Sequence, residues 1–166
     1  MVIRNETEQD WDAIAHVNRL AFGQENEAQL VNALRKNGKA TISLVAEDRG
    51  EVVGHILFSL VTVGDNGTGI ALGPLAVHPD WQKQGVGSQL TKAGIVACRR
   101  LGFSRLIVLG HPTYYPRFGF VPASRFGVHS EYKVPDEVFM AQELTTGAFN
   151  TCSGLVKYAP EFQQFS

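Results

Sequence analysis

The sequence predicts one α+β domain, residues 1–166, built on a mixed sheet. Two observations carry this. Apolar residues recur at helical spacing over positions 11–22 and 27–36, and β-rich runs separated by glycine turns then replace them. Further on, a strand, a helix and a second strand follow one another directly. That is the order of a βαβ unit, and it requires a parallel strand pair. The length agrees: 166 residues is about one domain at ~100–200 residues each. Such a chain buries roughly two-thirds of its unfolded surface and needs no disulfide or metal to hold it.

Residues 3–5 read as a short extended start. Thr7 stands three positions before Asp10, a variant capping box. Trp11, Ile14, Ala15, Val17, Ala21 and Phe22 then have the spacing of an amphipathic helix. A second helix is predicted over 27–36, with Leu30, Val31 and Leu34 on one face. Asn37-Gly38 closes it. Residues 43–47 and 52–63 read as a hairpin about the turn 48–51, and a second turn at 64–67 leads to a strand over 69–77. A helix follows over 85–101, with Val86, Leu90, Ala93, Ala97 and Leu101 on one face and Gly102 at its C-cap. A buried-type strand covers 105–109. In the tail, 118–120 reads as a strand start, 122–135 as loop and 138–144 as a loose strand.

Composition excludes several classes. With 44% hydrophobic and 19% charged residues, disorder of the whole chain is not expected. Fifteen basic against sixteen acidic residues give a net charge of −1, so nothing points to nucleic acid. No window reaches the ~18 apolar residues of a membrane span, and the N-terminus has no apolar signal core. Cys98 and Cys152 stand far apart and read as reduced thiols, which suits the cytoplasm. No His/Cys/Asp cluster has metal-ligand spacing, so no metal is expected.

The most informative stretch is Leu75-Ala76-Val77-His78-Pro79-Asp80-Trp81-Gln82-Lys83-Gln84-Gly85-Val86-Gly87-Ser88. A strand ends, a polar turn follows, and two glycines open a helix. First-turn amides and the positive end of the helix dipole suit a phosphate group, so a pyrophosphate is expected across residues 84–89. The dinucleotide fingerprint fails because Leu90 replaces its third glycine, and no Gly-Lys-Ser/Thr of a P-loop is present. Gly73-Pro74 lies inside the preceding strand. Proline cannot donate to a ladder, so a bulge or splay is expected there. An extended amide-bearing ligand, such as the pantetheine arm of coenzyme A, fits the freed backbone as a false strand.

At these residues the chain resembles the GNAT superfamily of N-acetyltransferases. Its signature Gln/Arg-x-x-Gly-x-Gly/Ala stands here as Gln82-Lys83-Gln84-Gly85-Val86-Gly87. The resemblance implies the acyl-CoA N-acyltransferase fold, a mostly antiparallel twisted sheet with a splayed central strand, flanked by helices in three layers. It also implies acetyl-CoA as cosubstrate. Leu75, Ala76 and Val77 are expected beside pantetheine, Leu75 and Val77 pairing with it and the backbone of 75–77 polarising the thioester carbonyl. Gln82, Lys83, Gln84, Gly85, Val86, Gly87, Ser88 and Gln89 are expected to hold the phosphates.

The loop Gly110-His111-Pro112-Thr113-Tyr114-Tyr115 follows the second strand of the βαβ unit and should face the same cleft. Tyr115 lies five residues before the Phe of Gly119-Phe120. The resemblance makes it the general acid toward the leaving thiolate. Tyr114 reads as packing, and Phe118 and Phe120 as core. The family's Asn contact to the coenzyme is replaced by Val108, and its strand glutamate is missing, since 69–77 contain no carboxylate. The base is therefore open. Glu25 and Glu27 lie between the first two helices, at the family's usual acceptor site, although both also read as surface acids. His111 is the better-placed histidine. His55 reads as a satisfied sheet histidine and His78 as solvated. Cys98 falls within the helix, which disfavours an acyl-enzyme.

The expected activity is acetyl transfer from acetyl-CoA to a primary amine by direct attack, with Tyr115, Glu27 and His111 as catalytic candidates. A catalytically silent acyl-CoA sensor is the alternative, and a nucleotide-binding regulatory domain is disfavoured by the missing motifs. Neither nucleic acid nor membrane is expected as a partner, and a homodimer through the C-terminal strands is compatible with the resemblance.

Overall fold

The computed structural model describes residues 1–165. The described strands form one sheet in the order β1 (Val2–Asn5), β2 (Ile42–Asp48), β3 (Glu51–Val63), β4 (Gly67–Val77), β5 (Arg105–Leu109), β8 (Phe139–Glu143) and β6 (Val121–Pro122). Off this path, β9 (Gly154–Lys157) pairs with the end of β3, and β7 (Val128–Ser130) pairs with β9. Only β4–β5 and β7–β9 are parallel. The expected βαβ unit is thus present, with α3 (Val86–Arg100) as its crossover.

Period-two alternation decides which helix covers which face. Val45 and Leu57 point to the layer formed by α1 (Trp11–Phe22) and α2 (Asn26–Lys36), where they pack with Ile14, Leu30, Val31 and Leu34. Their neighbours Leu44, Ala46, Ile56 and Phe58 point the other way, to Leu90, Ile95 and Cys98 of α3. A third cluster, including Ile107, Ala141, Phe149 and Val156, is closed by the C-terminal segments. The predicted capping box is formed at a short 3₁₀ turn, where the Thr7 amide donates to the Asp10 carboxylate at 2.7 Å. The Arg4 guanidinium grips that carboxylate at 2.8 and 2.9 Å and holds it near a pKa of about 2.

The tail departs from expectation. Residues Tyr115–Phe118 form a 3₁₀ turn, and the strand starts only at Val121. The segment read as loop contains the 3₁₀ turn Ala123–Phe126 and strand β7. Strand β9 and the terminal helix α4 (Glu161–Gln164) were not expected. On α3, the buried positions are Val86, Leu90, Thr91, Gly94, Ile95 and Cys98, and Leu101 is exposed. The turn after Arg100 carries Leu101 off the buried stripe.

Candidate active site

Strand β4 divides the sheet. It runs parallel to β5 only as far as Leu72, opposite Val108. Beyond that point β5 stays with β8, and Gly110 still donates to the Val138 carbonyl at 2.9 Å. β4 instead stays with β3. The β3 register shifts between Ile56, opposite Leu75, and Phe58, opposite Leu72. Gly73 and Pro74 are therefore the two residues of a bulge opposite Leu57, as the proline predicts. A gap opens between β4 and β5. His78 donates its amide to Val53 of β3 at 2.8 Å, so by ladder alternation Ala76 also faces β3. The peptide groups of Leu75 and Val77 face the gap. The Gln82 side-chain amide donates to the Val77 carbonyl from that side at 3.1 Å.

The start of α3 lies at one end of this gap. Gly85 caps the helix with φ +87° and no capping side chain, and a Cβ there would meet nothing within 4 Å. Its backbone angle, not space, is what calls for glycine. The first intrahelical bond into this turn is Gln89 N–H to Gly85 C=O at 3.0 Å. The amides of residues 86–88 stand at the helix start, where no carbonyl of the helix can reach them. No acidic side chain sits in the first turn. A groove of about 620 Å³ runs over these amides and is lined also by Lys83 and Arg117. Positive dipole, free amides and two cations make this an anion site. Tyr114 forms its wall: its hydroxyl lies 3.3 Å from Ser88 Oγ, and Arg117 stacks 5.4 Å above its ring. A Cβ on Gly87 would sit 3.1 Å from that hydroxyl, a tight contact that would press on Tyr114.

A second cavity, of about 650 Å³, occupies the other end of the gap. It shares Phe22, Leu75 and Tyr114 with the groove, so the two are continuous. Gly73, Pro74 and Leu75 form one wall and Leu109, Gly110 and His111 the opposite one. Tyr115 lies between, only 8% exposed, edge-on to Tyr114 and Phe120. Burial, with a smaller contribution from Tyr114, raises its pKa above the usual phenol value, so it stays protonated. Gly110 makes room for it, because a methyl there would overlap the Tyr115 ring. Glu27 enters from the first turn of α2, and Gln24 Nε2 donates to both its oxygens at 3.0 and 3.1 Å.

The chain matches the model of the acetyltransferase (GNAT) family over residues 8–120. The chain belongs to the GNAT family of acetyltransferases. It is 34% identical to the uncharacterized N-acetyltransferase YhbS of Escherichia coli K12, over 99% of this chain and all of that protein. It is 41% identical to the uncharacterized N-acetyltransferase YjhQ of the same strain, over 82% of this chain and 80% of that one. The crystal structure of E. coli YhbS in complex with CoA superposes with a TM-score of 0.94 at 34% identity, covering 99% and 93% of the two chains. A GNAT acetyltransferase from Brucella melitensis in complex with acetyl-CoA gives 0.82 at 33%, covering 97% of each.

In this GNAT chain the groove gathers Leu75, Val77, Gln82, Lys83, Gly85, Val86, Gly87 and Ser88. Three expected contacts are not brought to it. The Ala76 side chain is buried and its peptide faces β3. Gln84 turns back to donate to the Asp80 carbonyl at 3.1 Å, and the Gln89 amide is already used within α3. Tyr115, Glu27 and His111 all line the second cavity. Glu25 does not; it pairs with Arg19 on the surface at 2.8 Å. His78 is half-buried rather than solvated, with Nδ1 accepting from the Asp80 amide at 3.1 Å. His55 is fully buried between Ser43 Oγ at 2.8 Å and Asn18 Nδ2 at 3.4 Å. Cys98 is buried, and desolvation pushes its thiol up to about 12.

Sequence reasoning missed Arg117, Tyr132, Tyr158, Phe162 and Phe165 as lining residues. The last three carried one signal: aromatics at positions 158, 162 and 165 have the spacing of one helical face. Glu161 anchors this segment. Its carboxylate accepts from Lys39 at 2.8 Å and Asn37 at 2.8 Å, which lowers its pKa.

Proposed function

We propose that this chain transfers the acetyl group of acetyl-CoA directly to a primary amine, as one cytoplasmic domain over residues 1–166. The observation that carries the reading is the unbroken path from the amides of residues 86–88, along the free edge of β4, to the cavity that holds Tyr115. The CoA-bound and acetyl-CoA-bound relatives support the same cosubstrate here. Two free, buried cysteines accord with a reducing compartment.

The amides of residues 86–88, with Lys83 and Arg117, hold the pyrophosphate. The peptide groups of Leu75 and Val77 align the pantetheine arm as an added strand. An N–H at the free edge polarises the thioester carbonyl. The amine nitrogen attacks that carbon, the C–S bond breaks, and the nitrogen gives up one proton as the amide forms. Glu27, directly or through water, accepts the proton of the incoming ammonium, and His111 borders the path. Tyr115, kept protonated by burial, donates to the departing sulfur, which ends as the CoA thiol, and the proton shed by the nitrogen as the amide forms returns through water to Tyr115. Cys98, protonated at neutral pH and sealed under α3, takes no part.

A second reading, a silent acyl-CoA sensor, is favoured by the absence of a carboxylate on residues 69–77. Thiol release from acetyl-CoA in the presence of an amine panel separates the two. Turnover identifies the enzyme; CoA binding without release identifies the sensor. In the enzyme, Tyr115→Phe is expected to lower kcat by about 10²-fold or more while the Kd for CoA changes less than twofold. An unchanged kcat removes Tyr115 from the chemistry.

A further inference from the structure

We propose that the acceptor is a small primary amine on an apolar, ring-sized body bearing one hydrogen-bonding group, selected by the C-terminal segment. This rests on the acetyl-transfer reading above. Beyond the thioester position, the cavity is walled by the rings of Phe22, Tyr115, Tyr132, Tyr158, Phe162 and Phe165. Among the described residues, Glu27 is its one carboxylate, and no lysine or arginine lines it. A single carboxylate compensates a single ammonium. A second or third ammonium would face apolar walls, where an uncompensated charge is heavily penalised. An apolar body, by contrast, gains from leaving water, and aromatic faces tolerate the cationic head near Glu27.

The hydrogen-bonding group follows from two hydroxyls. Tyr132 Oη and Tyr158 Oη are both buried and have no partner. Their rings are 5.8 Å apart and belong to segments that meet at the cavity wall. Buried hydroxyls rarely stay unpaired, so the pair is suited to an acceptor that brings its own donor or acceptor group. The wall is fastened in place. Tyr158 donates its amide to Glu131 Oε1 at 2.9 Å, and Glu161 ties α4 to Asn37 and Lys39. A longer acyl chain on CoA would fill the apolar space but would leave both phenols without partners and the Glu27 charge with Gln24 alone.

The test is thiol-release kinetics at saturating acetyl-CoA with tyramine, 2-phenylethylamine, spermidine and a lysine peptide as probes. Calorimetry with CoA and decanoyl-CoA accompanies it. The expected kcat/KM for both ring amines exceeds that for spermidine and the peptide at least tenfold, and tyramine exceeds 2-phenylethylamine. Tyr158→Phe keeps the ring and is expected to bring the ratio of the two ring amines toward one. Spermidine or the peptide outrunning both ring amines, with CoA binding intact, overturns the acceptor class but leaves acetyl transfer standing. Decanoyl-CoA binding at least tenfold tighter than CoA, with no preference among the amines, assigns the cavity to an acyl chain and also overturns it. Absence of any CoA binding fails the underlying reading, and the proposal falls with it.

Discussion

His55 has no exposed surface and lies on β3 among polar groups that are themselves shut in. Ser43 Oγ touches its Nε2, and Ser43 in turn bonds Glu6, which Arg35 holds at 2.8 and 3.0 Å. Desolvation dominates, offset in part by Glu6 and reinforced by Arg35, and the imidazole pKa falls from 6.5 to about 4. The unfolded chain binds this proton near pH 6.5, but the folded chain refuses it until about pH 4. Stability is therefore full above pH 6.5 and falls as pH drops, by about 1.4 kcal/mol per unit and roughly 3 kcal/mol in all. Glu6, Asp10 and Glu161 also have lowered pKa values in the fold. At Glu6, burial raises the pKa, but hydrogen bonds from Arg35 and Ser43 outweigh it. Stability from those carboxylates is lost only below their ordinary values, near pH 4.5. The window from pH 6.5 to 4.5 thus belongs to His55. Urea denaturation across it should show the decline, and His55→Gln should flatten it. An equal slope in the variant would assign the effect elsewhere. The residue type at 55 was legible as a sheet histidine, but Glu6 and Ser43 come from distant segments that sequence spacing does not connect.

At the scale of elements, α3 must sit close to the sheet for its first turn to reach the gap. Two glycines allow this. A Cβ on Gly54 would come within 2.9 Å of Val86 and Leu90, and one on Gly94 would overlap the buried ring of Phe58. Alanine at 94 gains about 1 kcal/mol in helix propensity but loses about 1–3 kcal/mol by overpacking a rigid site. Gly94→Ala is expected to lower the urea midpoint at unchanged m, a net loss of about 1 kcal/mol. A midpoint equal to or above wild type would mean that the helix has slack to lift away. The glycine loop and the Gly73-Pro74 bulge were legible because each is dictated by local backbone rules: missing Cβ, missing N–H, helix start. The tail was not. Its strands run from two to five residues, and β9 is placed by pairing Thr62 with Lys157 and Val63 with Val156, far apart in the chain. The aromatic wall of the cavity depends on that placement.

Across the whole molecule, one topological event organises function: β4 leaves β5 while remaining paired with β3. The departure creates the free strand edge, aims it at the start of α3, and opens the cavity that the C-terminal segment closes. The anion groove and the tyrosine-bearing cavity are two ends of the same split. The central claim is that a thioester-bearing nucleotide lies along it. Isothermal calorimetry of CoA with wild type, Gly85→Glu and Gly85→Asn, joined to a crystal structure with CoA, tests this most directly. Asparagine tolerates the left-handed φ at residue 85, whereas glutamate adds strain and a negative charge beside the amides. The expected result is binding by wild type and Gly85→Asn, loss of binding in Gly85→Glu, and pyrophosphate seated on the amides of residues 86–88. Undiminished affinity in Gly85→Glu, or CoA found away from the β4–β5 gap, would contradict it.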